Sequence, residues 1–361
     1  MNIVYIVEDY SENGGVERIV SMKANLMATQ LHHQVTLISL YEDKRPCQYP
    51  LEDDISLKLL HVPFACKTKN PLLRWYSRVK TLLLAAHRLN KVIEQIQPDV
   101  IFFTTIMGAL LLPVCHTSAK KIFESHSARL FTPFHRLFYW TEKKADMIIC
   151  LTEEDAHEYK HAKEVRVIPN FINLPQVKVE NYSCKKAIAV GRLESVKGFD
   201  RLIKCWKAIA ERYPEWHLDI YGDGTQRKDL LNLIEDLHLT HQVRLCGRHE
   251  NMQEMYPHYS LHVMSSHYEG QGIAMVEAQA CGLPSVSFNF KYGAKDIIKN
   301  QYNGILVEQD DEKAFIQAIE FLITHQNLRK EYGEKAISES KRYAKEAIFC
   351  QWKSLLDACN K

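Results

Sequence analysis

Apolar and polar positions along this chain follow two alternating periods. Short β-branched or aromatic runs predict strands over residues 3–7, 34–39, 99–103, 121–124, 147–151 and 165–168. Between them, residues 16–30 and 72–96 carry apolar side chains three or four apart. In the second run, Leu73, Tyr76, Val79, Leu83, Ala86, Leu89 and Ile93 form the predicted stripe. The turn signal Pro169-Asn170 closes this series. A second series repeats the alternation, with strands over 187–191, 217–221, 243–246, 261–265, 285–288 and 305–307. Its helices are expected over 200–213, 227–237, 273–281 and 312–325, then over 328–360 with a break near Arg342-Tyr343. Strand followed by helix, repeated, predicts an α/β chain with parallel sheets. Two series predict two Rossmann-like domains, residues 1–170 and 171–342. Such sheets bind ligands at the carboxyl ends of their strands, so the loops after the strands are where chemistry is expected. Two such edges facing each other would form a cleft between the domains.

Composition narrows the class. The 361 residues suffice for two cores, and Lys+Arg 46 against Asp+Glu 44 leaves a net charge of +2, too little for a dedicated nucleic-acid binder. Ten cysteines form no C-x-x-C pair, which excludes zinc-ribbon and thioredoxin motifs. Several lie in apolar runs such as Ile149-Cys150-Leu151, as reduced cytosolic thiols do. The first apolar run meets Glu8-Asp9 without a basic leader, and residues 101–115 fall short of the ~20 needed to span a bilayer. A cytoplasmic protein is expected. Local charge says more than the total. Residues 61–91 hold Lys67, Lys69, Arg74, Arg78, Lys80, Arg88 and Lys91, no acid, and Trp75 and Tyr76. Residues 129–144 interleave Arg129, Arg136, Lys143 and Lys144 with Phe131, Phe134, Phe138, Tyr139 and Trp140, against Glu142 alone. Basic, aromatic, amphipathic segments suit the surface of an anionic bilayer, and a peripheral contact there is expected. The plainer reading is a pair of helices whose cations are simply solvated.

Three loops carry candidate chemistry. After the first strand, Gly14 and Gly15 open a helix with backbone N–H groups able to approach an anion or sugar oxygens. The loop lacks the G-x-G-x-x-G spacing of a dinucleotide site. In Gly191-Arg192-Leu193-Glu194-Ser195-Val196-Lys197-Gly198, Arg192 and Lys197 flank a strand-to-helix loop, a pairing suited to a diphosphate. In the third, Glu269 and Glu277 straddle Gly270-Gln271-Gly272-Ile273. Loop N–H groups there can meet a phosphate while each carboxylate accepts hydrogen bonds from hydroxyls. A nucleotide sugar has that layout: ribose hydroxyls, diphosphate, hexose hydroxyls. No D-x-D pair occurs anywhere, so protein cations rather than a metal ion are expected to neutralise the diphosphate, with no cofactor.

With Ala280-Cys281-Gly282-Leu283-Pro284 and Asn303-Gly304, these motifs make the chain resemble the family 4 retaining glycosyltransferases of GT-B architecture over nearly its whole length. Gln271 stands where that family usually has an aromatic residue. The resemblance implies a donor-binding second domain, an acceptor-binding first domain, and a C-terminal helix, residues 343–361, packing back on the first. It implies that Arg192 and Lys197 neutralise the donor diphosphate, that Glu277 holds the ribose, and that Glu269 with the glycine loop holds the transferred sugar. It gives His126, in Glu124-Ser125-His126, a place beside that sugar. The block Gly14-Gly15-Val16-Glu17-Arg18 resembles a subgroup that builds bacterial surface polysaccharides and lipid-linked oligosaccharides, often from UDP-sugars. Transfer of a hexose or N-acetylhexosamine from a UDP-sugar to a glycan or lipid-linked acceptor is the expected reaction. Retention leaves two routes, front-face attack or a covalent intermediate. A nucleotide-sugar epimerase or hydrolase, or a non-catalytic sugar-nucleotide-binding partner, would use the same scaffold.

Overall fold

The computed structural model describes residues 1–12, 14–41, 49–66, 68–131 and 135–359; Cys47, Lys67 and Phe134 lie outside these. The chain divides into two compact units. The first comprises Met1–Leu151, Asp155–Ile168 and the chain from Cys350; the second comprises Thr152–Glu154 and Pro169–Phe349.

The first unit is built on seven parallel strands: β1 Asn2–Val7, β2 Gln34–Ser39, β3 Ile55–Leu59, β4 Val100–Thr104, β5 Lys120–Glu124, β6 Met147–Cys150 and β7 Val165–Val167. Their order is β3-β2-β1-β4-β5-β6-β7. Ile3 pairs with Val35 on one side and Val100 on the other, and residues 3–7 are fully buried because helices cover both faces. The helices are α1 Gly15–Thr29, α2 Pro71–Ile96, α3 Thr105–Leu111 and α4 Phe138–Lys144, followed by the single turn α5 Glu153–Ala156, whose first two residues belong to the second unit. β3 and α3 to α5 have no counterpart in the sequence pattern. β3 is an edge strand with Leu57 and Leu59 exposed, so its apolar alternation faces the wrong way to advertise a core.

Two segments differ from their expected orientation. In α2 the buried stripe is Thr81, Ala85, Leu89 and Ile93, of which Leu89 and Ile93 belong to the predicted stripe, whereas its Leu73, Tyr76 and Leu83 are exposed, as is Leu72. A helix of 26 residues, about 39 Å long, overhangs strands of five or six residues, so only its C-terminal half has a sheet to cover. Within 129–144 the basic-aromatic run is partly interior. Arg129 is buried against Glu142, Nη2 to Oε1 2.7 Å, and Phe138 packs edge-on against Phe123 with centroids 5.4 Å apart. Leu137 and Trp140 remain exposed.

The second unit has six parallel strands: β8 Lys186–Val190, β9 His217–Tyr221, β10 Val243–Gly247, β11 Leu261–Met264, β12 Ser285–Phe288 and β13 Gly304–Val307, in the order β10-β9-β8-β11-β12-β13. Its helices are α6 Phe199–Arg212, α7 Arg227–Asp236, α8 Met252–Met255, α9 Ile273–Ala280, α10 Ala294–Ile297, α11 Glu312–Thr324 and α12 Gln326–Ser340. Trp206 fills its core, and Phe288 stacks on Phe315 at 4.3 Å. The last helix, α13 Lys345–Cys359, lays Trp352 against Phe102 of the first unit's β4, centroids 5.7 Å apart. Both sheets are doubly wound. Strand order reverses beside β1, between β1 and β4, and beside β8, between β8 and β11. In sheets of this kind the carboxyl edge at such a reversal is where ligands bind.

Candidate functional site

In the second unit the loops after β8 and β11 leave neighbouring strands and meet at once. Gly198 has φ +60°, and a Cβ there would lie 2.3 Å from the carbonyl oxygen of Ser265, so only glycine permits the approach. The Ser265 hydroxyl donates to the Lys197 carbonyl at 2.9 Å, and the His267 N–H donates to the Val196 carbonyl at 2.8 Å. This stitching brings together residues 72 apart in sequence: Lys197 Nζ donates to both carboxylate oxygens of Glu269, at 2.6 and 2.7 Å. The Ser266 hydroxyl adds a third bond to Glu269, at 2.6 Å.

Beneath the β11 loop lies Arg201 of α6, buried and stacked 4.0 Å over the Phe288 ring. Its guanidinium donates to the carbonyls of Ser265 and Ser266, at 2.7 and 2.8 Å, and to Asp310 at 2.7 Å. Burial lowers its pKa, and Asp310 opposes that shift. Arg201 has no place among the sequence candidates, although it stands four residues before Cys205 on the buried stripe of α6.

The other candidates of this unit follow. Arg192 is exposed at the start of the β8 loop, near Glu194. Hydrogen bonds from the N–H and hydroxyl of Thr225, with a smaller contribution from Arg192, hold the Glu194 carboxyl below its usual range. Gly270 is half-buried in the β11 loop. Gly272, φ +91°, precedes α9, so the N–H groups at Ile273 and Ala274 end the helix toward the carboxyl edge of the sheet. Glu277 is half-buried one turn into α9. Gln271 is buried, and its side chain exchanges bonds with the backbone of Asn170: Oε1 accepts from the N–H at 2.8 Å and Nε2 donates to the carbonyl at 3.3 Å. Its amide therefore ties the loop to the start of the unit, and its backbone alone remains for a ligand.

Chemically, an ammonium, a guanidinium and the amide dipoles of a helix N-terminus suit a diphosphate. The carboxylates suit hydroxyl donors. Among the described residues no group of three or more His, Cys, Asp or Glu is arranged to hold a metal ion.

The first unit holds Gly14, Gly15 and His126. Gly14 caps α1, and Gly15 begins it with open space where a Cβ would be. His126 follows β5, its Nε2 3.1 Å from Glu124 Oε1. The same oxygen pairs with Lys23 Nζ of α1. All three side chains are buried. Burial, then the Lys23 charge, holds the His126 pKa well below the usual histidine value, and burial also pulls Lys23 well down. The Lys23 ammonium lies 4.6 Å over the Trp352 ring. Lys23 and Glu124 are not sequence candidates. Lys23 nevertheless falls on the apolar stripe of α1 with Ile19, Val20 and Met27, where a cation requires a buried partner.

Comparison with known proteins gives the family. The family described as "Glycosyl transferases group 1" matches residues 171–339, and "Glycosyltransferase Family 4" matches residues 13–176. The chain is 28% identical over 367 residues to an uncharacterized glycosyltransferase of Haemophilus influenzae, covering 98% of this chain and 99% of the relative. It is 24% identical over 372 residues to the amylovoran biosynthesis glycosyltransferase AmsD of Erwinia amylovora, covering 98% and 99%. Its fold is similar to that of a crystallised S. aureus TarM variant in complex with fondaparinux, alpha-GlcNAc-glycerol and UDP, with a TM-score of 0.81 at 16% identity over 100% of both chains. With both halves matched and both sheets doubly wound, the chain belongs to glycosyltransferase family 4, as a GT-B glycosyltransferase related to enzymes of polysaccharide biosynthesis.

Proposed function

We propose that this glycosyltransferase moves a hexose or N-acetylhexosamine, with retention, from a UDP-sugar to a hydroxyl of a glycan or lipid-linked acceptor. The observation that carries this reading is the Lys197–Glu269 pair, 2.6 Å apart where the strand order reverses between β8 and β11. Breaking the bond from C1 to phosphate gathers negative charge on the leaving UDP and positive charge on the anomeric carbon. Lys197, Arg192 and the amides of Gly272 and Ile273 stabilise the first of these, which removes the need for a metal ion. Glu269, with Gly270 and the backbone of Gln271, accepts hydrogen bonds from the sugar, and Glu277 accepts them from the ribose. His126, with Gly14 and Gly15, serves from the first unit as the family resemblance indicates. The UDP in the TarM complex and the role named for AmsD support a UDP-sugar donor and a polysaccharide product.

We place the acceptor at an anionic bilayer. The exposed Leu72, Tyr76 and Leu83 of α2 are flanked round the helix by Lys80 and Lys91, while no described helix is long and apolar enough to cross a membrane. The experiment is transfer from UDP-, GDP- and ADP-sugars with a chelator present, with the anomeric configuration of the product read by NMR. A product of unchanged configuration from the UDP-sugar is expected. Turnover at the same rate without acceptor would make the protein a hydrolase or epimerase. Absence of any sugar-nucleotide binding would make it a non-catalytic partner.

A further inference from the structure

The loop that carries Glu269 stands on a cation that the reaction proposed above does not use. β11 pairs with β12 only as far as Met264, and the next two residues, Ser265 and Ser266, are buried with their carbonyls past the end of the ladder. Buried carbonyls need donors. Arg201 of α6 supplies them: Nε donates to the Ser265 carbonyl at 2.7 Å and Nη2 to the Ser266 carbonyl at 2.8 Å. The same two serines serve the pair described above. The Ser266 hydroxyl donates to Glu269, and the Ser265 hydroxyl donates to the Lys197 carbonyl. One guanidinium therefore fixes the peptides from which both sides of the Lys197–Glu269 pair are held.

Packing alone does not call for an arginine there. Arg201 falls on the buried stripe of α6 with Phe199, Leu202 and Cys205, its guanidinium 4.0 Å over the Phe288 ring. An apolar side chain would fill the space without desolvating a charge, and exchanging buried ions for well-packed apolar groups is often neutral or stabilising. The third bond is equally specific. Asp310, in the turn before α11, accepts from Nη1 at 2.7 Å although its side chain is 73% exposed. Its backbone is left-handed, φ +67°, a conformation that suits glycine and that aspartate tolerates. Burial does not explain an aspartate at that point; its contact with Arg201 does. The charge is also felt in the loop itself, where burial and then Arg201 hold His267 below the usual histidine value.

We propose that Arg201, with Asp310 as its counter-ion, is a positioning residue for the transfer reaction: it fixes the root of the β11 loop so that Glu269 meets the hydroxyls of the bound sugar. This role rests on the transferase reading and is exerted through Glu269, without contact to substrate. The loop needs such an anchor because Gly270 and Gly272 follow Glu269 closely, and glycine leaves the backbone more freedom than any other residue. A misplacement of about 1 Å can cost on the order of 10²-fold in rate. The diphosphate asks less of the loop, since Lys197 is a point charge on a flexible stem.

The test compares the full chain with Arg201→Met, Arg201→Lys and Asp310→Gly by transfer kinetics, calorimetric titration with UDP, and amide hydrogen exchange over residues 265–272 without ligand. Arg201→Met keeps an unbranched stem over Phe288. It is expected to lower kcat by about 10- to 100-fold while the Kd for UDP changes by less than about threefold. Exchange across the loop is expected to rise by about tenfold. Arg201→Lys keeps the charge and one donor direction, so part of the lost kcat is expected to return. Asp310→Gly relaxes the left-handed turn and removes the counter-ion at an exposed position, so it stays informative if Arg201→Met fails to fold; a several-fold loss of kcat with an undiminished Tm is expected. Unchanged loop exchange or unchanged kcat in the folded variants overturns the inference, and so does a loss of UDP affinity in step with kcat, which would make Arg201 a general support of the fold. Absence of UDP binding by the wild type would instead strike the transferase reading, and the exchange comparison, which needs no ligand, tests the anchor by itself.

Discussion

Lys197 and Glu269 neutralise each other across two loops, so removing either leaves a largely buried charge without its counter-ion. Lys197→Ala and Glu269→Ala are each expected to lower kcat by about 10²- to 10³-fold with an unchanged far-UV spectrum, the usual loss when one group stabilising transition-state charge is removed. Near-normal kcat in both would overturn the site. These two residues were legible because glycines, charges and helix starts fall together in short motifs. Lys23, Glu124 and Arg201 were not proposed, since a charge on an apolar stripe acquires meaning only when the opposing element supplies its partner. His262 makes a separate point about pH. It lies buried in β11, its Nδ1 is 3.1 Å from the Ser285 hydroxyl, and burial pulls its pKa from 6.5 to about 3. The unfolded chain takes up a proton near pH 6.5 that the folded chain refuses until about pH 3. This contribution is therefore complete above the unfolded value and is lost as pH falls through that window, at about 1.4 kcal/mol per pH unit. Denaturant titrations at pH 7, 6 and 5 should show that slope, and His262→Gln should flatten it; an identical slope in the variant would refute the assignment.

At the scale of elements, α2 departs most from what its pattern alone suggests. Its period predicts one apolar stripe, yet the helix carries two: a buried one against the sheet and an exposed one along Leu72, Tyr76 and Leu83. A pattern of i, i+3, i+4 positions marks where apolar side chains fall on the cylinder but not where the sheet beneath it ends. Each apolar side chain removed from water contributes about 1.5–3 kcal/mol, and each nearby cation about 1 kcal/mol at an anionic surface. Replacing Leu72, Tyr76 and Leu83 together by Ser should therefore reduce co-sedimentation with anionic vesicles by an order of magnitude or more, with transfer to a soluble acceptor preserved. Wild-type co-sedimentation in the variant would show that the face does not meet lipid. β3 teaches the complementary lesson. Its exposed Leu57 and Leu59 look like misplaced core residues until the strand is seen at the sheet edge.

At the scale of the molecule, each unit repeats one design: a doubly wound parallel sheet whose order reverses beside its first strand. If the second unit takes the nucleotide, UDP should stabilise the native chain by about 2.7 kcal/mol at a hundred times its Kd. Thermal unfolding of wild type and Lys197→Ala, with and without UDP, checks this, since the variant should lose most of the shift. A UDP shift of the same size in the variant would remove Lys197 from the diphosphate site. The sequence by itself determined the alternation of strands and helices, the two-domain organisation and the loops that carry charge beside glycine. All of these are local: they depend on residues within a few turns or one strand of each other, where side-chain period and backbone preference act directly. Only the tertiary structure decided that β11 lies beside β8, which sets Glu269 on Lys197. It alone decided that Lys23 meets Glu124 across the space between α1 and β5, and that α2 overhangs its sheet with part of its apolar pattern exposed. Those outcomes depend on strand order and burial between segments far apart in the chain, and local periodicity carries no record of either.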